Sequence, residues 1–190
     1  MDTLKYIKDK FNVPDGTKVQ KLKGTKRNDL YPIFNELGFK LGAEIGVNRG
    51  KNAEKIIESI PDLELHIVDC WERRNSLRET HERLKRFGSK VVTVEMYSMD
   101  AARYYNDEHF DFVYIDANHY FDFVMQDIIE WSKKVRPGGI VAGHDYYHSG
   151  TEGVAKAVKA YTKAHRIKPW FILDNERRRR PHQNSWFWVK

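Results

Sequence analysis

From residue 42 onward, short strand-like runs of apolar residues alternate with longer helix-like runs. The strand-like runs are Ala43–Val47, Leu63–Asp69, Val91–Met96, Asp111–Asp116, Ile140–Gly143, Trp170–Leu173 and Ser185–Val189. The runs that predict helices are approximately Asn52–Ser59, Ser76–Phe87, Phe121–Lys134 and Gly153–His165. Such alternation predicts an α/β fold, a doubly wound, mostly parallel, seven-stranded Rossmann-like sheet with helices on both faces.

The two ends of the chain depart from this alternation. Trp170–Leu173 and Ser185–Val189 have no helical pattern between them, so we expect a hairpin and one antiparallel strand near the C-terminus. Arg136-Pro137-Gly138-Gly139 predicts a turn before the strand at Ile140. At the other end, Asp2–Phe11 and Asn28–Leu37 favour helices. We therefore expect residues 1–40 to form a cap or a substrate-covering segment, and residues 41–190 to form the ligand-binding domain.

Composition narrows the class of protein. The chain has 190 residues, 41% of them hydrophobic, which indicates one globular domain. Its single cysteine, Cys70, cannot form an intrachain disulfide. The charged N-terminus lacks the apolar stretch of a secretory signal, and no apolar run is long enough for a membrane span. These features favour a soluble, cytoplasmic protein.

The positive charge is local. The formal net charge is +6, and the run Arg177–Arg180 alone contributes four of these charges. A solvated loop is the simplest interpretation of this run, and phosphate binding is the alternative.

A glycine-containing loop follows the first strand. Gly46 and Gly50 lie between a strand and a helix, where glycine permits a tight turn and close approach of a ligand. Glu44 stands two positions before Gly46. The spacing differs from the G-x-G-x-x-G pattern of pyrophosphate-binding loops, and the carboxylate suits a ligand with a positive end. An ordinary strand–helix turn would also accommodate these glycines.

The second strand ends in Asp69, 23 positions after Gly46. A carboxylate at this place can accept both ribose hydroxyls of an adenosine ligand, although a helix cap or loop aspartate is the structural alternative. Trp71, two positions further on, could pack on the ligand or on the core.

Five motifs in order resemble the class I S-adenosylmethionine (SAM)-dependent methyltransferases. They are E-I-G-V-N-R-G, the acidic end of the second strand, D-F-V-Y-I-D, R-P-G-G-I-V-A-G-H-D-Y-Y and G-V-A-K-A-V. The subgroup most similar to them contains the short enzymes related to catechol and macrolide O-methyltransferases. The resemblance covers about residues 42–165 and implies that SAM is the cofactor.

The resemblance also implies roles for individual residues. The methionine part of SAM would lie among Glu44, Gly46 and Gly50, the ribose at Asp69, and the adenine at Ser98 and Met99. We add Trp71 and Asp116 to the candidate cofactor-binding residues because both follow the ends of strands beside the same cleft.

Acidic residues and histidines gather at the ends of the fourth and fifth strands. Asp116 ends one strand, His119 follows three positions later, and His144 and Asp145 end the next. Two carboxylates and an imidazole can hold a divalent cation such as Mg²⁺, which would acidify and orient an acceptor hydroxyl. A histidine can instead remove the proton itself.

The resemblance carries over Asp116 and Asp145 as metal ligands. The chain departs from the relatives at Tyr146, where the catechol enzymes have asparagine, and at His144, where macrolide relatives often have aspartate. If the backbone stays extended at 144–145, only one of these two side chains faces the site, and we favour Asp145. We expect His119 and Asp116 to be catalytic, with His144 as the alternative base.

These observations favour O-methylation of a small hydroxylated acceptor, such as a sugar or natural product. An RNA methyltransferase and a SAM-binding protein without catalysis remain alternatives, so a nucleic-acid partner stays open. A nicotinamide dehydrogenase lacks support because the phosphate-binding glycines are missing. Four tryptophans fit either the core or a homodimer seam: Trp131, Trp170, Trp186 and Trp188.

Overall fold

The computed structural model describes residues 2–147, 153–175 and 184–190. Its helices are α1 (Thr3–Lys10), α2 (Tyr31–Glu36), α3 (Lys51–Ser59), α4 (Arg74–Leu84), α5 (Ser98–Tyr104), α6 (Phe121–Lys134) and α7 (Gly153–Ala164). Its strands are β1 (Val19–Lys23), β2 (Leu41–Ile45), β3 (Glu64–Asp69), β4 (Val91–Glu95), β5 (Phe110–Ile115), β6 (Val135–Gly143), β7 (Trp170–Asp174) and β8 (Ser185–Val189). Short 3₁₀ helices cover Arg27–Asp29 and Lys85–Lys90.

All eight strands form one sheet in the order β1-β7-β8-β6-β5-β2-β3-β4. Neighbouring strands are parallel except that β8 runs antiparallel to both β6 and β7. The predicted α/β class, the mostly parallel sheet and the antiparallel strand near the C-terminus are therefore confirmed. The chain order reverses between β2 and β5, and ligands of such sheets bind at the carboxyl ends of the strands near this reversal.

The predicted count of seven strands is wrong, because β1 adds an eighth. It pairs with β7 from Val19↔Trp170 to Lys23↔Asp174. Its sequence is V-Q-K-L-K, and only Leu22 is buried. An edge strand that buries one side chain carries almost no hydrophobic pattern, which is why the sequence did not indicate it.

Two further elements differ from the prediction. Helix α5 was missed, because the residues that it buries are the small Ala101 and Ala102 rather than a long apolar stripe. Strand β6 begins at Val135, so the predicted turn at 136–139 lies within it as an irregularity, where the pairing with β5 shifts register. Gly138, at φ 75°, occupies a backbone conformation that suits such a bulge.

Both faces of the sheet are covered by apolar side chains. On one face, α2 and α3 pack through Phe34 and Ile56 against Phe112 and Tyr114. On the other, α6 and α7 pack through Ile128 and Val158 against Val113 and Val141, in the cluster that also buries Trp131, Trp170, Trp186 and Trp188. These tryptophans thus lie in the core.

Residues 2–40 contribute to the same structure. Helix α1 is capped by the carboxylate of Asp2, which accepts from the Lys5 amide at 3.0 Å, and Ile7 is fully buried. The carboxyl end of β1 brings the following 3₁₀ turn to the edge of the sheet where the candidate site lies. Within the described ranges, no helix has the length and apolar character needed to cross a membrane.

Candidate active site

The loop after β2 lies against the loop after β5. Gly46 has φ 86°, and a Cβ at this position would collide with the carbonyl oxygen of Asp116 and the backbone of Ala117. Gly50, at φ 70°, precedes α3, where a Cβ would lie 3.1 Å from the Thr80 methyl group. The backbone conformation favours glycine at both positions, and at Gly46 close packing also leaves no room for a side chain. The predicted glycine loop thus lies at the reversal of the sheet.

The carboxylate of Asp69 holds this loop in place. One oxygen accepts from the amides of Val47 at 2.9 Å and Asn48 at 2.8 Å, and the other accepts from the Trp71 amide at 2.7 Å. Ionised carboxylates have about four acceptor positions, so these three bonds leave capacity for one more donor. Asp69 therefore shapes the loop, and its contact with a ribose stays a prediction.

Trp71 packs beneath the same loop. The residue is 2% exposed and lies in the apolar cluster on the α3 side of the sheet. Its indole N–H donates to the Asn48 carbonyl at 2.8 Å. Of the two placements considered from the sequence, core packing matches this environment, and cofactor contact is a prediction that these observations do not test.

The predicted adenine region begins α5. The hydroxyl of Ser98 donates to a carboxylate oxygen of Asp127 and accepts from the indole N–H of Trp131 at 2.8 Å. Burial raises the pKa of Asp127 to about 6, although its hydrogen bond with Ser98 opposes the shift. Met99 packs against the apolar cluster on the α6 side. The Ser98 side chain is thus anchored to α6.

Glu44 is buried at the centre of the candidate site. It is 1% exposed, and its Oε1 accepts from the side-chain amide of Asn52 at 2.8 Å. The Asn52 carbonyl in turn accepts from the hydroxyl of Tyr31. No hydrogen-bond donor reaches Oε2 from the described residues. Burial raises the pKa of Glu44 to about 8, and the nearby Asp116 adds to this effect. A positively charged ligand group would complete this environment.

Arg27 was not identified from the sequence. It begins the 3₁₀ turn after β1, and its Nη1 lies 3.3 Å from Asp116 Oδ2 across 89 residues of sequence. The Arg27 side chain keeps 32% of its surface exposed. Since β1 had no clear pattern, nothing in the sequence placed this guanidinium at the carboxyl edge.

The four candidate catalytic and metal-ligating residues do converge. His119 Nε2 lies 3.0 Å from Asp145 Oδ2, and His144 Nδ1 lies 3.3 Å from Asp145 Oδ1. Asp116 Oδ1 is 4.0 Å from each of the same two ring nitrogens. One ligand atom from each of Asp116, His144 and Asp145 lies within 4.8 Å of the other two. These atoms are close enough together to share a cation or a proton.

The condition of extended backbone at 144–145 is not met. The backbone does not stay extended through residue 145, because Asp145 has φ 55°. This left-handed conformation turns the chain, so His144 and Asp145 both face Asp116 instead of pointing in opposite directions. Tyr146, which replaces the asparagine of the catechol enzymes, is 2% exposed and packs 5.5 Å from the Trp170 ring. Tyr146 is therefore part of the core, and the third side chain that joins Asp116 and Asp145 is the imidazole of His144.

Charge within the cluster is divided unequally. Burial raises the pKa of Asp116 to about 6, and the negative charge of Asp145 contributes. Burial acts on Asp145 as well, but hydrogen bonds and positive charge from His119 and His144 outweigh it and hold its pKa below the usual range. The hydrogen bond to Asp145 raises the pKa of His119. Asp145 is thus the permanent anion, and His119 is the group best arranged to receive a proton.

Exposed aromatic side chains follow His119 in the sequence. Tyr120 is 65% exposed, Phe123 is 54% exposed and Phe121 is 40% exposed, all at the start of α6. Exposed aromatic residues beside a polar cluster are typical of ligand-binding surfaces. The amphipathic pattern of α6 gave no indication that these aromatic residues are exposed.

The run Arg177–Arg180 lies outside the described residues.

Solved structures with the same fold include O-methyltransferases, an N-methyltransferase and an rRNA methylase. An O-methyltransferase from Bacillus cereus in complex with SAH has a TM-score of 0.66 and 15% identity, over 100% of this chain and 91% of that one. An rRNA methylase from Streptococcus thermophilus has a TM-score of 0.65 and 12% identity, over 86% and 93%. The N-methyltransferase NodS from Bradyrhizobium japonicum has a TM-score of 0.63 and 15% identity, over 86% and 94%.

None of the curated protein sequences matches this chain. A family model described as a methyltransferase domain matches residues 43–146, which include the glycine loop, Asp69 and all four residues of the acid–histidine cluster. Together with the strand order and the convergence of these residues at the carboxyl edge, this match assigns the chain to the methyltransferase domain family, whose members are class I SAM-dependent enzymes.

Proposed function

We propose that this enzyme transfers the methyl group of SAM to a hydroxyl oxygen of a small acceptor, such as a sugar or a natural product. The observation that carries the proposal is the hydrogen bond between His119 and Asp145, directly beside Asp116 and the glycine loop. A carboxylate that orients an imidazole and stabilises its protonated form is an effective arrangement for general base catalysis.

The chain's residues fit the methionine end of SAM. Glu44 has a buried, unpaired carboxylate oxygen that would accept a hydrogen bond from the ammonium group. Arg27 uses one of its five N–H donors on Asp116, so its remaining donors suit the carboxylate. Asp69 would accept from the ribose, and Ser98 and Met99 would border the adenine. When bound, SAM supplies an electrophilic methyl group on a sulfonium.

The proposed reaction is an in-line displacement. The acceptor oxygen forms a bond to the methyl carbon, the carbon–sulfur bond breaks, and the bonding electrons stay on the sulfur of the product, S-adenosylhomocysteine (SAH). His119 takes the hydroxyl proton, and Asp145 stabilises the resulting imidazolium. The carboxyl ends of β5 and β6 hold these groups in fixed positions, which lowers the entropic cost of alignment.

A divalent cation also fits the cluster. Asp116 and Asp145 would provide oxygen ligands and His144 a nitrogen ligand. Such a cation supplies positive charge that lowers the pKa of an acceptor hydroxyl. Its presence is a proposal, and its removal provides a direct test.

A small acceptor is favoured by the aromatic side chains at the start of α6. Tyr120, Phe121 and Phe123, which follow His119 in the sequence, would offer an apolar surface for a planar or sugar ring. Methylation of RNA is the alternative if the protein binds SAM but does not methylate a small acceptor.

The experiment has two stages. Thermal-shift measurements with SAM, SAH and NAD should show stabilisation by SAM and SAH only. Methyl transfer is then measured for catechols, sugars, flavonoids and structured RNA, with His119→Ala as the control. Transfer only to RNA, or to a nitrogen atom, would reject the proposed acceptor class. Stabilisation by NAD instead of SAM would reject the cofactor.

A further inference from the structure

A cavity opens at the opposite edge of the sheet from the candidate active site. It has a volume of about 400 Å³ and lies among the ends of α6, α7 and β8 and the loop that leads to β7. Strand β6 runs from Val135, beside this cavity, to Gly143, beside the acid–histidine cluster. Nine strand residues span on the order of 25 Å, so the two sites are separate.

The cavity has an aromatic wall. Tyr161 and Trp188 line it with their rings stacked at 5.7 Å between centroids, and the centroid of the His165 ring lies 4.2 Å from that of Tyr161. Leu4, Ile167 and Pro169 add apolar surface. Trp188 is 1% exposed and is also stacked on Trp186 at 5.1 Å, so an apolar occupant would meet the open part of Tyr161 together with Leu4, Ile167 and Pro169.

The rim of the cavity is basic. Lys133, Arg166, Lys168 and Lys190 line it, and the described lining contains no aspartate or glutamate. Lys133 pairs with Glu130 at 2.8 Å, and Lys190 donates to the Val135 carbonyl at 2.6 Å. By contrast, the side chains of Arg166 and Lys168 form no hydrogen bond or ion pair with the described residues.

The C-termini of α6 and α7 account for part of the basic character at this edge of the sheet. Basic residues within the last turns of α6 and α7, such as Lys133 and Lys163, are explained by the partial negative charge of the helix C-termini. Arg166 and Lys168 lie beyond α7, on the loop to β7. Two unpaired cations beside a cavity favour an anionic group on its occupant.

A buried hydroxyl lines the same cavity. Ser132 is 6% exposed, and its Oγ has no hydrogen-bond partner among the described residues. Buried hydroxyls are nearly always paired, and a serine inside a helix commonly bonds the carbonyl four residues earlier. This unpaired hydroxyl is an independent indication that a polar ligand atom completes the site.

We propose that this cavity is a second binding site for a small anionic ligand with a planar apolar body. The ring of the ligand would pack on Tyr161, Ile167 and Pro169. Its acidic group would pair with Arg166 and Lys168, and the Ser132 hydroxyl would bond one of its polar atoms. This site takes part in no step of methyl transfer, so its test does not depend on the identity of the methyl acceptor.

Phenyl phosphate is a suitable probe, with phenol and inorganic phosphate as its two fragments. Nuclear magnetic resonance titration should show saturable shifts of the Trp188 indole and the Ile167 amide, with Gly46 and Gly50 unaffected. Each fragment should bind at least tenfold more weakly than phenyl phosphate. Equal affinity for phenol would refute the anionic requirement, and equal affinity for phosphate would refute the aromatic one.

Substitutions in the cavity test where phenyl phosphate binds. Arg166→Asn combined with Lys168→Gln should weaken phenyl phosphate binding at least tenfold; asparagine tolerates the φ of 54° at position 166. Lys163→Gln, on the exposed side of α7, is the matched control and should bind normally. Ser132→Ala should raise the melting temperature while weakening the probe, because it removes an unpaired hydroxyl that the ligand would use. Unchanged affinity in the double variant, or no shift at Trp188 and Ile167, would overturn the proposal.

Discussion

His119 Nε2 and Asp145 Oδ2 lie 3.0 Å apart although they follow different strands, β5 and β6. The contact exists because these parallel neighbours end at the same edge and because the left-handed backbone at Asp145 turns its carboxylate toward His119. The pair combines a fixed anion with a group that can receive a proton.

The first prediction tests His119 as the base. His119→Ala should lower kcat by about 10²- to 10⁴-fold, the usual contribution of a positioned general base. SAM affinity, measured by calorimetry, should stay within about twofold, since the imidazole is assigned to the acceptor proton. His81→Ala on the exposed side of α4 is the control. Full turnover in His119→Ala would move the base to another group.

A second prediction concerns Glu44 and pH. Burial raises the pKa of this carboxyl to about 8, so Glu44 is largely protonated at neutral pH without ligand. An ammonium placed against it would favour the ionised form. SAM binding near pH 7 should therefore release a proton, and affinity should rise with pH up to about 8. Calorimetry in buffers of different ionisation enthalpy counts the protons released.

The same group affects folding stability. Because the pKa of Glu44 is raised in the folded state, the unfolded chain binds fewer protons between pH 4.5 and about 8. Its contribution to stability therefore decreases as the pH rises through this window. Glu44→Gln should flatten this dependence in denaturant titrations yet weaken SAM binding by about 1.5–3 kcal/mol, the value of a charge-assisted hydrogen bond. Wild-type affinity in the variant would place the ammonium elsewhere.

Arg27 provides a third prediction. Decarboxylated SAM lacks only the carboxylate that we assign to this guanidinium. Arg27→Gln should lower affinity for SAM about tenfold or more and leave affinity for decarboxylated SAM nearly unchanged. Lys26→Gln, next to it and exposed, is the control. Equal losses for both ligands would show that Arg27 acts through Asp116 or through the fold of the 3₁₀ turn.

Asp69 gives a fourth prediction. Asp69→Ala removes the acceptor of three backbone amides as well as the proposed ribose contact. SAM affinity should fall by about 1–3 kcal/mol. Adenosine should lose affinity to a similar extent, because the lost contacts surround the nucleoside end. A variant that keeps wild-type affinity for both ligands would refute this placement of the ribose.

The sequence predicted the convergence of the site better than its details. Asp69 and Asp116 end apolar runs, and Asp145 follows another by two positions. Parallel topology alone brings such positions to one edge. Arg27 could not be found in this way, since its position depends on β1, an edge strand that buries only Leu22. A contact across 89 residues has no local signal.

Local backbone geometry was the other limit. Side chains alternate between the two faces only where the backbone is extended, and Asp145 at φ 55° is not extended. No glycine at this position indicated the turn. Aspartate and asparagine are the residues that adopt this region most readily after glycine, so an aspartate after a strand was a weak indication at best. Trp71, at φ 40°, is a similar case.

The last prediction concerns a divalent cation. Asp116, His144 and Asp145 are close enough to share one, and the two carboxylates favour a hard ion such as Mg²⁺ or Mn²⁺. If one binds, Mg²⁺ should raise the melting temperature of the wild type through linkage, and EDTA should reverse the rise. Methyl transfer should then fall in EDTA and return when Mg²⁺ is restored.

Asp145→Asn is the informative variant for this test, because asparagine tolerates the left-handed backbone that alanine would strain. It should lose most of the Mg²⁺-dependent stabilisation, whereas Asp122→Asn, an exposed acid at the start of α6, should retain it. With a cation present, His119→Ala should keep some activity, because the cation alone acidifies the hydroxyl. Full activity in EDTA, with no metal detected by elemental analysis and no Mg²⁺ effect on melting, would instead leave His119 and Asp145 as the complete proton-removing machinery.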